Sequence, residues 1–103
     1  MQNGAIVLEI FDFLKQQKLV DTEHRFSEQW LGQNESYLRR ARYAGKEPSL
    51  GVVAIIGSRL QSIGSRLINT PHSEIGQQFL EFSEKCHRLV NQNLTDDLMN
   101  KFE

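Results

Sequence analysis

The chain has 103 residues and a formal net charge of −1, with 39% apolar residues that include six Phe and one Trp. That is enough apolar material for one core but too little chain for two, and the aromatic content excludes a disordered segment. A near-neutral balance also excludes a uniformly basic nucleic-acid binder.

In chain order the reading is helical throughout. Only two prolines occur, and no stretch sustains the two-residue alternation of a strand. Over residues 5 to about 17, Ile6, Ile10, Phe13 and Leu14 recur at helical spacing, with Phe11 alongside. Leu19 and Val20 then lead to Asp21 or Thr22, either of which can cap a second helix. That helix is expected to run to about Leu31, to bury Phe26, Trp30 and Leu31, and to stop at Gly32, since glycine adopts positive φ at little cost.

Asn34 reads as the cap of a third helix over residues 35–44, with Tyr37, Leu38 and Ala41 inward and Arg39, Arg40 and Arg42 outward. Gly45 ends it. Pro48 and Ser49 open a long fourth helix, as proline fits a first turn and serine can cap. Its apolar residues Val53, Ile56, Leu60, Ile63 and Leu67 alternate steps of three and four, a two-heptad seam. Thr70 and Pro71 break the chain, and Ser73 can cap a fifth helix whose Ile75, Phe79, Phe82, Cys86 and Leu89 repeat the same rhythm. Thr95, Asp96 and Asp97 are expected to open a last short helix holding Leu98, Met99 and Phe102.

The fold expected is all-α, a compact helical bundle in one structural domain. Residues 1–69 would form a helix-turn-helix core with its N-terminal helix and long fourth helix. Residues 70–103 would form a helical extension that packs on the core or on a second chain. Gly57 and Gly64 stand seven apart beside the fourth-helix seam. Each costs about 1 kcal/mol in a helix interior, which close helix–helix approach would justify. Gly57, Leu60, Gly64, Leu67, Phe79 and Phe82 are therefore candidates for a dimer interface, while an intramolecular helix pair remains open.

Charge is uneven along the chain. Between Ser36 and Arg66 stand six cations, Arg39, Arg40, Arg42, Lys46, Arg59 and Arg66, against one anion, Glu47, so this window carries +5 and the remainder −6. A local basic face suffices for phosphate contact, because screening confines the interaction to about 10 Å.

Residues 22–60, TEHRFSEQWLGQNESYLRRARYAGKEPSLGVVAIIGSRL, combine a leucine–glycine turn, a Ser-Tyr-Leu helix start and a Gly-Lys-Glu-Pro-Ser-Leu loop into an apolar helix. This stretch resembles the Cro and phage-repressor type of helix-turn-helix domain. With VLEIFDFLKQQKLV in front, the chain also resembles small bacterial proteins that carry the same pattern. The resemblance implies that residues 22–31 form the helix crossing the DNA backbone and residues 35–44 the recognition helix. Asn34, Glu35, Ser36, Arg39 and Arg40 would then lie near base edges or flanking phosphates, while Arg42 and Lys46 meet phosphate. The family has a small residue four positions before the turn glycine. Here Glu28 stands there, with Ser27 one earlier, so the helix packing either differs or slips by one residue.

Other chemistry is sparse. His24, His72 and His87 are widely separated, and no Cys or His pair has zinc-site spacing, so no metal and no cofactor is expected. No GxxxxGK[ST] phosphate loop or ordered catalytic set is legible, and the chain reads as a non-enzyme. The single Cys86 excludes an internal disulfide and fits a reducing compartment. No apolar run approaches the roughly 18 residues of a membrane span, and the N-terminus lacks a secretory pattern. The expectation is a cytoplasmic protein, on the nucleoid when engaged with DNA, whose partners are double-stranded DNA and a second copy of itself. The alternative is an adaptor or antagonist that uses the same fold to bind a protein.

Overall fold

The computed structural model describes residues 2–103, with the side chains of all but Gln2 and Asn93. Five helices make up the fold, α1 (Gln2–Gln16), α2 (Glu23–Gln29), α3 (Tyr37–Tyr43), α4 (Leu50–Leu67) and α5 (Ser73–Lys101), with no strand among the described residues. The architecture is all-α, as the spacing of apolar residues implies.

One core joins all five. Ile6, Val7, Ile10, Phe13 and Leu14 form the buried face of α1, and they cluster with Phe26, Leu31, Leu38, Val52, Val53, Ile56, Leu60, Phe79 and Cys86. Aromatic rings bind the layers together. Phe11 stacks at a tilt on Phe26 at 4.9 Å, and Phe13 meets Phe79 edge-on at 5.5 Å and Phe82 at 5.1 Å. Trp30, expected inside, is half-buried and sets its edge against Phe79 at 6.3 Å.

Local chemistry sets several boundaries. Thr22 caps α2 by accepting from the Arg25 amide at 3.2 Å, and Ser49 caps α4 by accepting from the Val52 amide at 3.2 Å. Thr22→Ala is expected to lower stability by about 1 kcal/mol in a urea titration, since one orphan amide loses its acceptor. An unchanged midpoint would mean that the cap contributes nothing. Gly32 and Gly45 both take φ of +67°, where they follow α2 and α3. At Gly45 the amides of Gly45 and Lys46 return to the carbonyls of Arg42 and Ala41, closing α3 in a Schellman-type turn.

Both ends of the last expected helices depart from expectation, around α5. Thr95, Asp96 and Asp97 do not open a separate helix but lie inside α5, which continues unbroken for 29 residues. No glycine or proline stands between Leu89 and Thr95 to stop the preceding helix, and a capping threonine needs a non-helical backbone. Ser73 is the first residue of α5 rather than its cap, and His72 before it makes no side-chain cap bond. Thr70 organises this corner instead: its hydroxyl donates to the Leu67 carbonyl at 2.7 Å and accepts from the His72 amide at 3.1 Å.

The residues proposed from sequence as a dimer seam face inward within the same chain. A Cβ on Gly57 would lie 2.8 Å from the Cβ of Cys86, and one on Gly64 would lie 2.9 Å from the Gly76 carbonyl oxygen. Gly76 in turn sits against Leu67, and Leu60 and Phe79 are fully buried. Phe82 packs on Phe13. Gly57, Leu60, Gly64, Leu67, Phe79 and Phe82 thus hold α4 and α5 together as an antiparallel pair and tie α5 to α1. The buried Ser83 hydroxyl donates to the Gly57 carbonyl at 2.8 Å and adds a polar clasp at the closest approach. The two glycines mark tight helix contact, as their cost implied, but the partner is the neighbouring helix.

Candidate nucleic-acid interface

α3 is amphipathic over its seven residues. Leu38 is buried, Tyr37 and Ala41 are half-buried beside it, and Arg39, Arg40 and Tyr43 are exposed. At 100° per residue, positions 39, 40 and 43 fall on the arc opposite Leu38. The inward side is anchored at both ends. The Tyr37 hydroxyl accepts from the Ser49 amide at 3.2 Å, and Pro48 is buried next to Leu38 and Val7. The loop that follows α3 is itself pinned to α1, where Asn3 donates to the Pro48 carbonyl at 2.9 Å and the Glu47 carboxylate accepts from the Gly4 amide at 3.2 Å. A rigid base therefore holds the outward face of α3.

The structure shortens the expected recognition helix at its start. Asn34 does not cap it: its side-chain oxygen accepts from the Ser36 amide at 2.9 Å and from the Ser36 hydroxyl at 2.8 Å. This local Asx turn satisfies both residues and delays the helix until Tyr37. Asn34, Glu35 and Ser36 accordingly stand in the turn before α3, not on it. The connection from α2 to α3 is residues 30–36, seven in all, where a helix-turn-helix commonly uses a turn of about 3–4 residues. Packing at the end of α2 falls on Ser27, which is fully buried, while Glu28 is exposed, so the contact slips by one residue.

The six cations of the basic window do not form one patch. Arg42 pairs with Glu23, joining α3 to α2. Arg59 donates to the Gln29 carbonyl, where it satisfies the end of α2. Arg66 lies at the far end of α4, about 24 Å along the helix from its start. What remains beside α3 is Arg39, Arg40 and Lys46, all exposed, whose side chains make no ion pair or hydrogen bond among the described residues. Tyr43 joins them, 95% exposed on the outward arc. Sequence reasoning missed Tyr43, although its step of three from Arg40 and four from Arg39 was visible. The diversion of Arg59 to the α2 carbonyl had no local sign.

The remaining chemistry of the surface is spare. Among the described residues no group of three or more His, Cys, Asp or Glu could hold a metal ion. Burial pushes the Cys86 thiol from 9.0 up to about 11, which leaves almost no thiolate near neutral pH and makes it a packing residue. No helix among the described residues is long and apolar enough to cross a membrane.

These features define an all-α domain of five helices whose α3 presents a short basic and aromatic face. The chain belongs to the DUF6626 family, a family of unknown function, which it matches over residues 7–99. No curated protein and no solved structure matches it.

Proposed function

We propose that this domain is a transcriptional regulator that binds double-stranded DNA through the outward face of α3 and acts, as a dimer, by occupying its site. The observation that carries this reading is the arrangement of Arg39, Arg40 and Tyr43 on one exposed arc of a firmly seated helix, with Lys46 just beyond it. The resemblance of residues 22–60 to repressor-type helix-turn-helix domains supports it. Arg39 and Arg40 have free guanidinium groups for two-pronged contact with guanine, and Tyr43 offers a hydroxyl and a ring at the same surface. Lys46 is suited to phosphate, which positions a protein without reading sequence. Asn34, Glu35 and Ser36 come close to DNA only as the edge of the preceding turn. Arg42 contributes only if it leaves Glu23.

Fluorescence anisotropy of a labelled duplex from the upstream region of the gene, with a random duplex as control, tests the proposal at two salt concentrations. Arg39→Ala or Arg40→Ala is expected to weaken specific binding by roughly 1–3 kcal/mol and to relax preference at one base position. Lys46→Ala should weaken both duplexes equally and reduce the salt slope by about 1. No binding to either duplex at low salt would remove the DNA reading.

The long α2–α3 connection and the Glu23–Arg42 pair favour a second reading, an adaptor that presents α3 to another protein. Neutralising one of the α3 arginines suits a mixed polar interface better than a phosphate backbone. Partner affinity that survives high salt, with no retention on DNA, would identify it.

A further inference from the structure

We propose that two copies of this chain associate through the C-terminal part of α5, laid antiparallel with Leu98 at the two-fold axis. The argument begins with a mismatch in helix length. α4 has 18 residues and α5 has 29, and they run antiparallel, with Gly64 against Gly76 and Leu80 and Gly57 against Cys86 and His87. By that register α4 begins level with the turn that follows Val90, and α5 continues past it, with α1 alongside through Ala5, Ile6 and Glu9 about as far as Gln92. Burial follows suit: Val90 is half-buried, and every later residue whose side chain is described is exposed.

The apolar stripe does not end where α4 ends. Gly76, Leu80, Ser83 and His87 face α4, and continuing in steps of three and four brings Leu94 and then Leu98 to the same side. Phe102 follows four residues later, with Met99 adjoining. Leu94, Leu98, Met99 and Phe102 are 62%, 44%, 54% and 81% exposed, the densest run of large exposed apolar side chains in the described chain. A stripe continuous with an interhelical interface, carried beyond its partner helix, is shaped for another helix.

Charge selects a second copy as that helix. Asp97 and Lys101 flank the stripe on one side, four residues apart, and neither has an ion pair among the described residues. In an antiparallel pair about Leu98, like flanks face each other and Leu94 of one copy meets Phe102 of the other. Asp97 then lies about 3 Å along the axis from Lys101 of the other copy, and this pair occurs twice, against a single approach of Asp97 to Asp97 at the same offset. A parallel pair in register would instead put the two Asp97 and Lys101 flanks on opposite sides of the seam, where they face the uncharged flank of Thr95 and Met99. The tail is thus complementary to itself in one orientation, and the contact closes as an isologous dimer. This inference does not require any ligand on α3.

Sedimentation velocity of the full chain without DNA, over a range of concentrations, tests it. A reversible dimer is expected, weakened at least about tenfold by Leu98→Asp with the helical circular dichroism retained. Asp97→Lys and Lys101→Asp should each weaken self-association, and mixing the two variants should restore it as a heterodimer, because every facing pair then becomes opposite in sign. For orientation, Leu94→Cys mixed with Phe102→Cys should cross-link under mild oxidation while neither does so alone. A chain that stays monomeric at all concentrations, a dimer indifferent to Leu98→Asp, or mixed charge variants no tighter than either alone would overturn the proposal. Cross-linking of each cysteine variant with itself would overturn the antiparallel arrangement.

Discussion

Phe79→Ala is expected to cost about 3–5 kcal/mol, since it deletes a fully buried aromatic ring and leaves a cavity that its neighbours fill only in part. The ring is the meeting point of three elements, with Phe13 of α1 at 5.5 Å and Trp30 at the end of α2 at 6.3 Å. A domain of this size has about 5–15 kcal/mol in all, so the variant should lose a large part of its stability or fail to fold at 37 °C. Urea unfolding followed by the fluorescence of Trp30, the single tryptophan, reports the change beside the deleted ring. A loss below about 1 kcal/mol would mean that Phe79 is not the junction of α1, α2 and α5. Phe82→Ala, at a half-buried position against Phe13, should cost less and gives the gradient across the cluster.

The second large effect is expected at the α4–α5 contact. Gly64→Val should lower stability by about 2–3 kcal/mol, because its Cβ would stand 2.9 Å from the Gly76 carbonyl oxygen. That neighbour is backbone and cannot rotate away, so the helices must separate along the clasp that Ser83 makes with Gly57. For a chain of this length the midpoint of thermal unfolding should fall by roughly 10–20 °C. Gly51→Ala is the control. The nearest atom to its new methyl would be the Ser49 hydroxyl oxygen at 3.7 Å, an ordinary contact, and the gain in helix propensity makes it neutral or stabilising by up to about 1 kcal/mol. Equal behaviour of the two glycine variants would show that α4 and α5 are not in such close contact.

Much of the architecture was legible because it depends on neighbours in the chain. Thr22 and Ser49 cap where their residue types suggest, and Gly45 closes α3 with positive φ, whereas α2 already ends at Gln29, before Gly32 is reached. The apolar steps in α4 and α5 predicted which faces are buried, and Val53, Ile56, Leu60, Phe79 and Cys86 are all inside. The same local logic failed where two local options compete. Asn34 could cap a helix or turn back on Ser36, and it takes the turn, which removes two residues from the helix thought to read DNA. Thr95 could cap a new helix or continue an old one, and with no breaker before it the old helix continues.

For the candidate site, the residues were visible but their availability was not. Arg39 and Arg40 stand exposed on α3 as the spacing implied, and Tyr43 shares their face. Arg42 and Arg59 looked equivalent to them in a run of positive charge, yet Glu23 and the Gln29 carbonyl occupy both. Those partners lie 19 and 30 residues away in sequence, beyond any helical period. The same holds for the seam glycines, whose need for a close neighbour was plain while its identity was not.

The sequence by itself determined the all-helical class, the number of helices up to α5 and the inward face of each, because caps, breakers and 3.6-residue periodicity act over a single turn or two. Only the tertiary structure decided that α4 pairs with α5 inside one chain, which arginines remain free, and that the end of α5 runs on with its apolar stripe uncovered. Those outcomes depend on which surfaces meet across the chain, and helices of similar amphipathic pattern offer many such meetings until the volumes at Gly57, Gly64 and Gly76 admit one.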